Sequence, residues 1–496
     1  MGIRVDRDRF EASEFEAFRA RLCDSLTALE GLLEREGFGL GDASLGAEVE
    51  LSLVDDSARA LPVNRAVLGQ SLDEHVQLEL DRFNLEYNLS PVPARGRPFG
   101  TLEAELTRAI EELDRIAADF GGRTITVGIL PTLEPSDLDR HSMTDLARYR
   151  ALSHAIRTLR GGPAELHIHG AEPLRMAIDD VTMEGAATSL QVHLRVAPGD
   201  FANVYNAAQL AAAPAVAIAE NSPFFLGYRL WRETRVALFK QAVDARGRDA
   251  RRARQPARVC FGHGWVQRSA FELFAETVGL FAPLIPICDP EQPLAVLGAG
   301  HTPRLRELSL HMGTVWRWNR PVYDPVDGGH LRIEFRALPS GPTPVDAMAN
   351  AAFCVGLTLG LAERMSRTVQ NFPFEYAHHN FYRAAQYGLE ASLLWPSEQA
   401  APSYRQLSAS ELLPELLPLA REGLQALGVE QAESARLLGI IDARAESGRT
   451  GARFQLEQVE ALEKSAGRWE ALAEMTRRYI EHSKGGRPVH EWSLDK

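Results

Sequence analysis

The segment that most constrains the fold is Gly46–Val54, in which apolar and polar residues alternate along the chain. A period of two places successive side chains on opposite faces of a β-strand. Glu48, Glu50 and Ser52 therefore share one face, while valine and leucine side chains occupy the other. The pattern predicts a strand whose apolar face covers a hydrophobic core.

The two glutamates of this strand repel each other. At a separation of about 4 Å and an effective dielectric constant near 20, the repulsion is roughly 4 kcal/mol. Water relieves that cost on an exposed face, and a cation relieves it in a cleft. Taken alone, the segment is more simply explained as an amphipathic strand with its acidic side in solvent. A cation site requires further ligands from other parts of the chain.

The overall composition limits the class of protein. The chain has 496 residues, enough for one large domain or about two to four ordinary ones. Its residues are 45% hydrophobic and 24% charged, as is typical of a soluble globular protein. The net charge of −13 argues against a surface for nucleic acid or an anionic membrane. It does not argue against phosphate ligands, whose charge metal ions can balance.

The sequence also carries signals about the compartment. The N-terminal residues Met1–Phe10 are charged, and no run of about 18 apolar residues follows, so we expect neither a secretory signal nor a membrane span. The four cysteines are widely scattered without CxxC spacing, which predicts neither a zinc site nor a disulfide framework. We therefore expect a cytoplasmic protein. The sequence gives no signal for the oligomeric state.

Three further segments have the period of a strand and a polar face. They contribute Asn84, Glu86 and Asn88 from residues 83–89, Gln191 and His193 from residues 188–196, and Arg332, Glu334 and Arg336 from residues 331–338. Glu79, just before the first of these segments, is an alternative to Glu86. Together the segments predict an antiparallel sheet with one polar face and helices on the other.

The residue types on this face indicate a chemistry. Carboxylates with a few neutral donors are the ligands that Mg²⁺ and Mn²⁺ prefer. Arginines placed among them suit the phosphates of a metal–nucleotide complex. A solvated strand face is the alternative for each glutamate, but it requires an independent coincidence on each of several strands.

The order of the motifs resembles that of a known family, the glutamate–cysteine ligase type 2 family of the glutamine-synthetase-like carboxylate–amine ligases. The motifs are GAEVEL at 46–51, NLEYNLSP at 84–91, TSLQVHL at 188–194, ENSPF at 220–224 and RIEFR at 332–336, with later ones at 380–388 and 448–452. The resemblance covers nearly the whole chain, from about Gly46 to Ala452.

The resemblance implies an α+β fold. Its catalytic core is glutamine-synthetase-like, with a curved, mainly antiparallel sheet and helices on the outer face of that sheet. We place this core and an N-terminal helix at residues 1–395. Residues 396–496 are expected to form a helical C-terminal region packed on the core.

The resemblance also implies ATP-dependent amide-bond formation with Mg²⁺, or else Mn²⁺, as the metal. The γ-phosphate passes to a substrate carboxylate, and an amine then displaces phosphate from the acyl phosphate. The most specific expectation is a glutamate–cysteine ligase of glutathione biosynthesis, forming γ-glutamylcysteine through γ-glutamyl phosphate. The alternatives are a carboxylate–amine ligase with another acceptor amine, a guanidino kinase on the same fold, and a non-catalytic binding protein. The expected partners are therefore small molecules.

The resemblance assigns roles to individual residues. Glu48, Glu50, Glu86 and Glu334 would be metal ligands, Glu334 and Arg336 would be catalytic, and Arg336 and His193 would face the nucleotide. Asn221, within the ENSPF segment, and Arg235, which follows that segment, would bind the substrate. The loop Gly448–Arg453 would hold an anion at a helix N-terminus or serve as a plain turn, and the sequence leaves both open.

One position departs from the common family pattern. Many members have His-x-His where this chain has Gln191-Val192-His193, and the first histidine is the usual metal ligand there. Glutamine at this position is more similar to the plant-type ligases. As a ligand, Gln191 would coordinate through its amide oxygen, and a hard oxygen donor favours Mg²⁺ over softer ions.

Overall fold

The computed structural model of the chain describes residues 5–247, 255–397 and 403–494. The basic residues at 248–254, which the sequence predicts as part of a solvated loop, lie outside the described residues. So do residues 398–402, at the start of the expected C-terminal region.

The described residues contain the following strands, in chain order: β1 Ser44–Asp55, β2 Val76–Leu78, β3 Asn84–Asn88, β4 Val92–Pro93, β5 Gly122–Ile125, β6 Ala164–His169, β7 Pro173–Ile178, β8 Ser189–Val196, β9 Phe224–Phe225, β10 Tyr228–Arg229, β11 Val259–Cys260, β12 Trp316–Arg317, β13 Asn319–Asp324, β14 His330–Pro339, β15 Ser392–Pro396 and β16 Tyr404–Ser408.

The helices of the same ranges are α1 Ala12–Leu33, α2 Asn64–Gln70, α3 Pro98–Ala118, α4 Ala147–Arg160, α5 Thr182–Gly185, α6 Phe201–Ala219, α7 Thr234–Ala242, α8 Phe271–Leu280, α9 Pro293–Gly298, α10 Arg306–Met312, α11 Pro344–Ala362, α12 Met365–Asn371, α13 Phe374–Tyr387, α14 Ala409–Ala426, α15 Gln431–Ser447, α16 Gly451–Leu462 and α17 Arg468–Lys484. Short 3₁₀ turns lie at Pro135–Leu138, Val326–Gly328, Gly388–Glu390 and Val489–Glu491.

One eight-stranded antiparallel sheet organises the chain. Its strand order is β13-β14-β8-β1-β3-β2, and β1 also pairs with β4 near its start and with β5 at its end. The sheet is curved and antiparallel, and helices accompany it. The predicted α+β fold is therefore confirmed. The acidic strand β1 is central, which explains why its two faces differ so sharply.

The apolar face of the sheet carries the main core. Val49, Leu51 and Leu53 of β1 are buried, together with the apolar residues of β8 and β14. Helices α6 and α11 pack in the same core, and nearly all of their residues are buried. The period-two pattern thus separates a core face from a polar face, because successive strand residues point in opposite directions.

The C-terminal helices pack on the helical layer. On α15, the buried Arg444 donates to Asp346 and Asn350 of α11 at 2.7 and 2.6 Å. The region does not begin as a helix, because Tyr404–Ser408 pairs with Ser392–Pro396 as a hairpin and α14 starts at Ala409. A division of the chain near residue 396, where β15 ends, stays a prediction.

Among the described helices, α11 alone has the length and apolar character needed to cross a membrane. In this structure 83% of its most apolar stretch is buried inside the protein.

Helices α11 and α14 approach each other closely through glycines. An added Cβ on Gly423 of α14 would overlap the carbonyl oxygen of Gly356 on α11, whereas one on Gly439 of α15 would meet no atom within 4 Å. The contact at Gly423 is backbone against backbone, so a rotamer change cannot relieve it.

We therefore expect Gly423→Ala to destabilise the protein by about 1–3 kcal/mol, the usual cost of overpacking. The control Gly439→Ala should be neutral or stabilise by about 0.5–1 kcal/mol, because alanine loses less entropy in a helix. Urea unfolding of both variants measures the difference. Equal stabilities would contradict the close packing of α11 on α14.

Candidate active site

The strand register brings the predicted polar residues to one face of the sheet. Three cross-strand pairs lie there: Glu48 opposite Gln191, Glu50 opposite Glu86, and His193 opposite Glu334. Arg336 lies on the same strand and face as Glu334. These seven residues are called the polar face below.

Three side chains of the polar face form a tight group. One ligand atom from each of Glu48, His193 and Glu334 lies within 4.8 Å of the other two. The His193 Nε2 and Glu48 Oε1 atoms are 3.0 Å apart. No other set of three histidine, cysteine, aspartate or glutamate side chains in residues 5–247, 255–397 and 403–494 meets this criterion.

Glu334 is held by two arginines. It is fully buried, Arg320 on β13 donates from Nε to Oε2 at 2.5 Å, and Arg336 donates from Nη1 to Oε1. Burial acts to raise the pKa of Glu334, but the two guanidinium groups outweigh it and lower that pKa strongly. Glu334 is therefore ionised at neutral pH and available as a ligand.

The other half of the polar face, together with the neighbouring Glu79, has too little positive charge. Burial, reinforced by Glu86, raises the pKa of Glu50 to about 8. Burial, reinforced by Glu50, raises the pKa of Glu79 to about 8, and burial beside Glu48 also raises that of Glu86. Arg148 and Arg336 offset only part of this effect. A bound cation would restore the balance.

The donor set fits a magnesium or manganese ion. Glu48, Glu334 and the neighbouring Glu50 and Glu86 offer oxygen atoms, as Mg²⁺ requires. The imidazole of His193 is a nitrogen donor that Mn²⁺ also accepts. The acidic surplus on a buried face is the observation that supports a cation here.

Gln191 is engaged on both sides of its amide. Its Nε2 donates to Glu50 Oε1 at 3.0 Å, and its Oε1 accepts from Arg336. It thus joins the acidic half of the polar face to the arginine. Coordination by this oxygen requires that Arg336 release it, and a metal role for Gln191 stays a prediction.

The expected substrate contact of Arg235 requires correction. The residue is 2% exposed, its Nε donates to Glu233 at 3.0 Å, and its two Nη atoms donate to the carbonyl oxygens of Arg336 and Ala337. The guanidinium group therefore lies under β14 and holds its backbone. It is a positioning residue for Arg336.

The same correction applies to Asn221. It is fully buried, and its Nδ2 donates both hydrogens, to Ser340 O and to Tyr479 Oη, each at 2.8 Å. Its Oδ1 accepts from Gln455 at 3.0 Å. The side chain joins the end of β14 to the C-terminal helices and offers no free donor to a substrate.

The loop Gly448–Arg453 packs on the ENSPF segment. The Thr450 hydroxyl caps α16 and donates to Glu220 Oε1 at 2.5 Å, while the Ala452 N–H donates to Glu220 O at 2.9 Å. These bonds occupy groups that an anion would need. Of the two interpretations, the structure favours a turn between helices.

Three charged residues near the polar face were not assigned from the sequence. Arg320 lies directly opposite Glu334, and its strand was missed because Pro321 interrupts the strand pattern. Arg148 on α4 donates to Leu78 O at 3.1 Å and lowers the pKa of Glu79, partly offsetting burial. Burial raises the pKa of Glu184 on α5 to about 7. Glu184 was not assigned because α5 has only four residues, too few to show a helical pattern in the sequence.

The comparison with protein families agrees with the motif order. The model of glutamate-cysteine ligase family 2 (GCS2) matches residues 44–260. These residues, which make up less than half of the chain, are similar to that family. The match covers β1, β3 and β8 of the polar face, and the family resemblance inferred from the motifs is confirmed. The family match supports an ATP-dependent carboxylate–amine ligase.

Solved structures support the fold. A glutamate–cysteine ligase (gshA) from Francisella tularensis in complex with AMP is similar over 92% of this chain and 90% of that one, with a TM-score of 0.52 and 11% identity. At this identity the likeness concerns the fold alone.

Two weaker likenesses carry no further argument. A bifunctional glutathione synthetase from Pasteurella multocida has a TM-score of 0.41 and 12% identity, over 92% of this chain and 54% of that chain. The complex of the ubiquitin-like protein Pup with its ligase PafA has a TM-score of 0.41 and 10% identity, over 92% and 78%. The comparison with curated protein sequences gives no significant match.

The raised pKa of Glu50 predicts a pH dependence of stability. A carboxyl whose pKa is higher in the folded than in the unfolded state stabilises the fold while protonated, and the stabilisation is lost as pH rises through its folded pKa. With a folded pKa of about 8, the metal-free protein should therefore lose stability between pH 6 and 9.

Glu50→Gln keeps the side-chain shape but cannot ionise. Its loss of unfolding free energy between pH 6 and 9 should be smaller than that of the natural protein by about 1 kcal/mol or more. Urea unfolding in EDTA at several pH values measures both slopes. Parallel slopes would show that Glu50 ionises freely, and thus that this half of the polar face lacks the inferred excess of negative charge.

Proposed function

We propose that this chain is a glutamate–cysteine ligase. The reaction consumes ATP, glutamate and cysteine and yields ADP, phosphate and γ-glutamylcysteine. The observation that carries the proposal is the group formed by the half-buried Glu48 and the buried His193 and Glu334, beside Arg320 and Arg336. It combines ligands for a metal with cations for phosphate on the face that the family motifs share.

The proposed chemistry has two steps. A γ-carboxylate oxygen of glutamate attacks the γ-phosphorus of ATP, and ADP leaves. The amine of cysteine then attacks the acyl carbon, phosphate leaves, and the amine loses a proton. Phosphoryl transfer needs positioning and charge neutralisation more than covalent help from the protein.

The residues divide these tasks. Glu48, His193 and Glu334 would hold one metal ion, and Glu50 with Glu86 would complete the acidic wall for another. A bound Mg²⁺ supplies positive charge to the transferred phosphoryl group. Arg336 and Arg320 add fixed cations, and because Glu334 already orients both guanidinium groups, little reorganisation is needed.

The choice of glutamate and cysteine rests on the family. The matching family is that of the glutamate–cysteine ligases, and the Francisella neighbour of the same fold is a glutamate–cysteine ligase in complex with AMP. The Gln191-Val192-His193 sequence resembles the plant-type members. ATP and both amino acids are cytosolic metabolites, in agreement with the cytoplasmic location expected from the sequence.

The test is ADP release by the purified chain with Mg²⁺, ATP and glutamate. We expect release to rise at least about tenfold when cysteine is added and γ-glutamylcysteine to appear in equal amount. Release with glutamate and a thiol-free amine, but not with cysteine, would assign another acceptor. Phosphorylation of a guanidino compound without amide formation would contradict ligase chemistry.

Two matched variants assign turnover to the polar face. Glu334→Gln removes a ligand charge but keeps the shape, and we expect kcat to fall at least about a hundredfold. Glu307→Gln is the control: Glu307 is also a buried carboxylate, but it pairs with Arg21 and is not part of the polar face. This variant should retain kcat although its stability is lower. Equal losses in both variants would contradict the role of Glu334.

The metal role of Gln191 has its own prediction. If its amide oxygen is a ligand, Gln191→His should shift the activity ratio toward Mn²⁺, because imidazole nitrogen is softer than oxygen. Gln191→Leu should weaken metal-dependent ATP binding, though less than Glu334→Gln does. Titration of both metals against the three proteins measures this. An unchanged ratio would leave Gln191 only the hydrogen bonds to Glu50 and Arg336.

A further inference from the structure

A basic cavity lies at the edge of the sheet, beside β2 and outside the polar face. Its volume is about 470 Å³, and four arginines from three separate segments line it: Arg65, Arg82, Arg140 and Arg150. His141, Met143, Thr144 and Asp145 complete the lining. This set is called the arginine pocket below.

Buried hydrogen bonds fix the floor of the arginine pocket. Asn64, which is 1% exposed, donates from Nδ2 to Asp81 O at 3.0 Å, to Asn84 O at 3.1 Å and to Thr144 Oγ1 at 2.9 Å. The Arg82 N–H donates to Ser142 O at 2.8 Å. The three arginine-bearing segments are thus joined beneath the cavity, and their spacing does not depend on a ligand.

The charge of the pocket is not balanced from within. Asp145 accepts from Arg150 through its carboxylate and from Arg65 through its carbonyl oxygen, and Asp8 lies 3.8 Å from Arg150. The guanidinium groups of Arg82 and Arg140 make no hydrogen bond or ion pair with any residue in the described ranges. Four arginines therefore face two carboxylates, on a chain whose net charge is −13.

Helix α4 adds to the positive potential. It begins at Ala147, directly after the pocket residue Asp145, and its N-cap Leu146 has no side chain able to accept from the first N–H groups. The N-terminus of a helix carries roughly half a positive charge. This contribution has the same sign as the arginines.

We propose that the arginine pocket binds a small anion that carries two or more linked phosphate groups. The planar guanidinium fork matches phosphate oxygens in pairs, which favours phosphate over a single point anion. Two linked phosphates can satisfy Arg82 and Arg140 together. The net charge of −13 over the whole chain disfavours a long polyanion such as nucleic acid.

The pocket is distinct from the proposed nucleotide site. Its lining contains one carboxylate, whereas a metal-bound triphosphate needs the several that the polar face supplies. The two sites are nevertheless neighbours, because Arg82 lies three residues beyond Glu79, which follows β2, and because Arg150 lies two residues beyond Arg148. An anion in the pocket would hold α4 against the turn that leads into β3.

The test uses inorganic pyrophosphate and metal-free protein in EDTA. Under these conditions the polar face is too acidic to attract an anion, so binding there is suppressed. Isothermal titration should give one site, and the double variant Arg82→Gln/Arg140→Gln should weaken binding at least about tenfold. Arg19→Gln, which removes a charge from the exposed side of α1, should change the affinity less than about twofold.

A second measurement separates this site from the nucleotide site. The double variant should unfold at the natural midpoint and bind Mg²⁺–ATP with unchanged affinity. Loss of ATP affinity in the double variant would place the arginines in the nucleotide site and overturn the proposal. Unchanged pyrophosphate binding in the double variant would also overturn it. Neither outcome depends on which amide the enzyme forms.

Discussion

The ion pairs of Glu334 with Arg320 and Arg336 are the interaction on which the rest of the polar face depends. All three side chains lie on adjacent strands, and Glu334 is fully buried. Removing one partner of a buried ion pair typically costs about 3–5 kcal/mol, so the three side chains hold one another in place. Arg336 in turn holds the Gln191 amide, and Arg235 holds the backbone of Arg336 from beneath. The geometry of the candidate site and the stability of the fold therefore depend on the same network of hydrogen bonds and ion pairs.

The polar face is divided by charge. Around Glu334, arginines balance the carboxylates, and that half retains its ionised form. Around Glu50, Glu79 and Glu86 they do not, and burial raises the pKa of each carboxyl. Ionising these carboxyl groups costs free energy without a bound cation, and a bound cation would offset that cost. The instability of the acidic half and the metal affinity that we propose for it would thus have one physical origin, because the same repulsion would drive both.

The sequence predicted the features that depend on local order. Alternation fixes which side chains share a strand face, so the pattern of residues is enough to group Glu48, Glu50, Glu86, His193 and Glu334. Depth below the surface is a tertiary property, which is why Arg235 and Asn221 were expected to meet substrate although both are buried under β14. Arg320 was missed because Pro321 hides its strand, and only the cross-strand register reveals its partner.

The most direct test of this account is the position of a bound metal. Crystals of the protein soaked in Mn²⁺ and measured at the manganese absorption edge give an anomalous difference map that locates the ion without assumptions about activity. The account predicts a peak in contact with the carboxylates of Glu48 and Glu334 and the imidazole of His193. A peak elsewhere with these three side chains unliganded, or no peak on the polar face at saturating Mn²⁺, would contradict it.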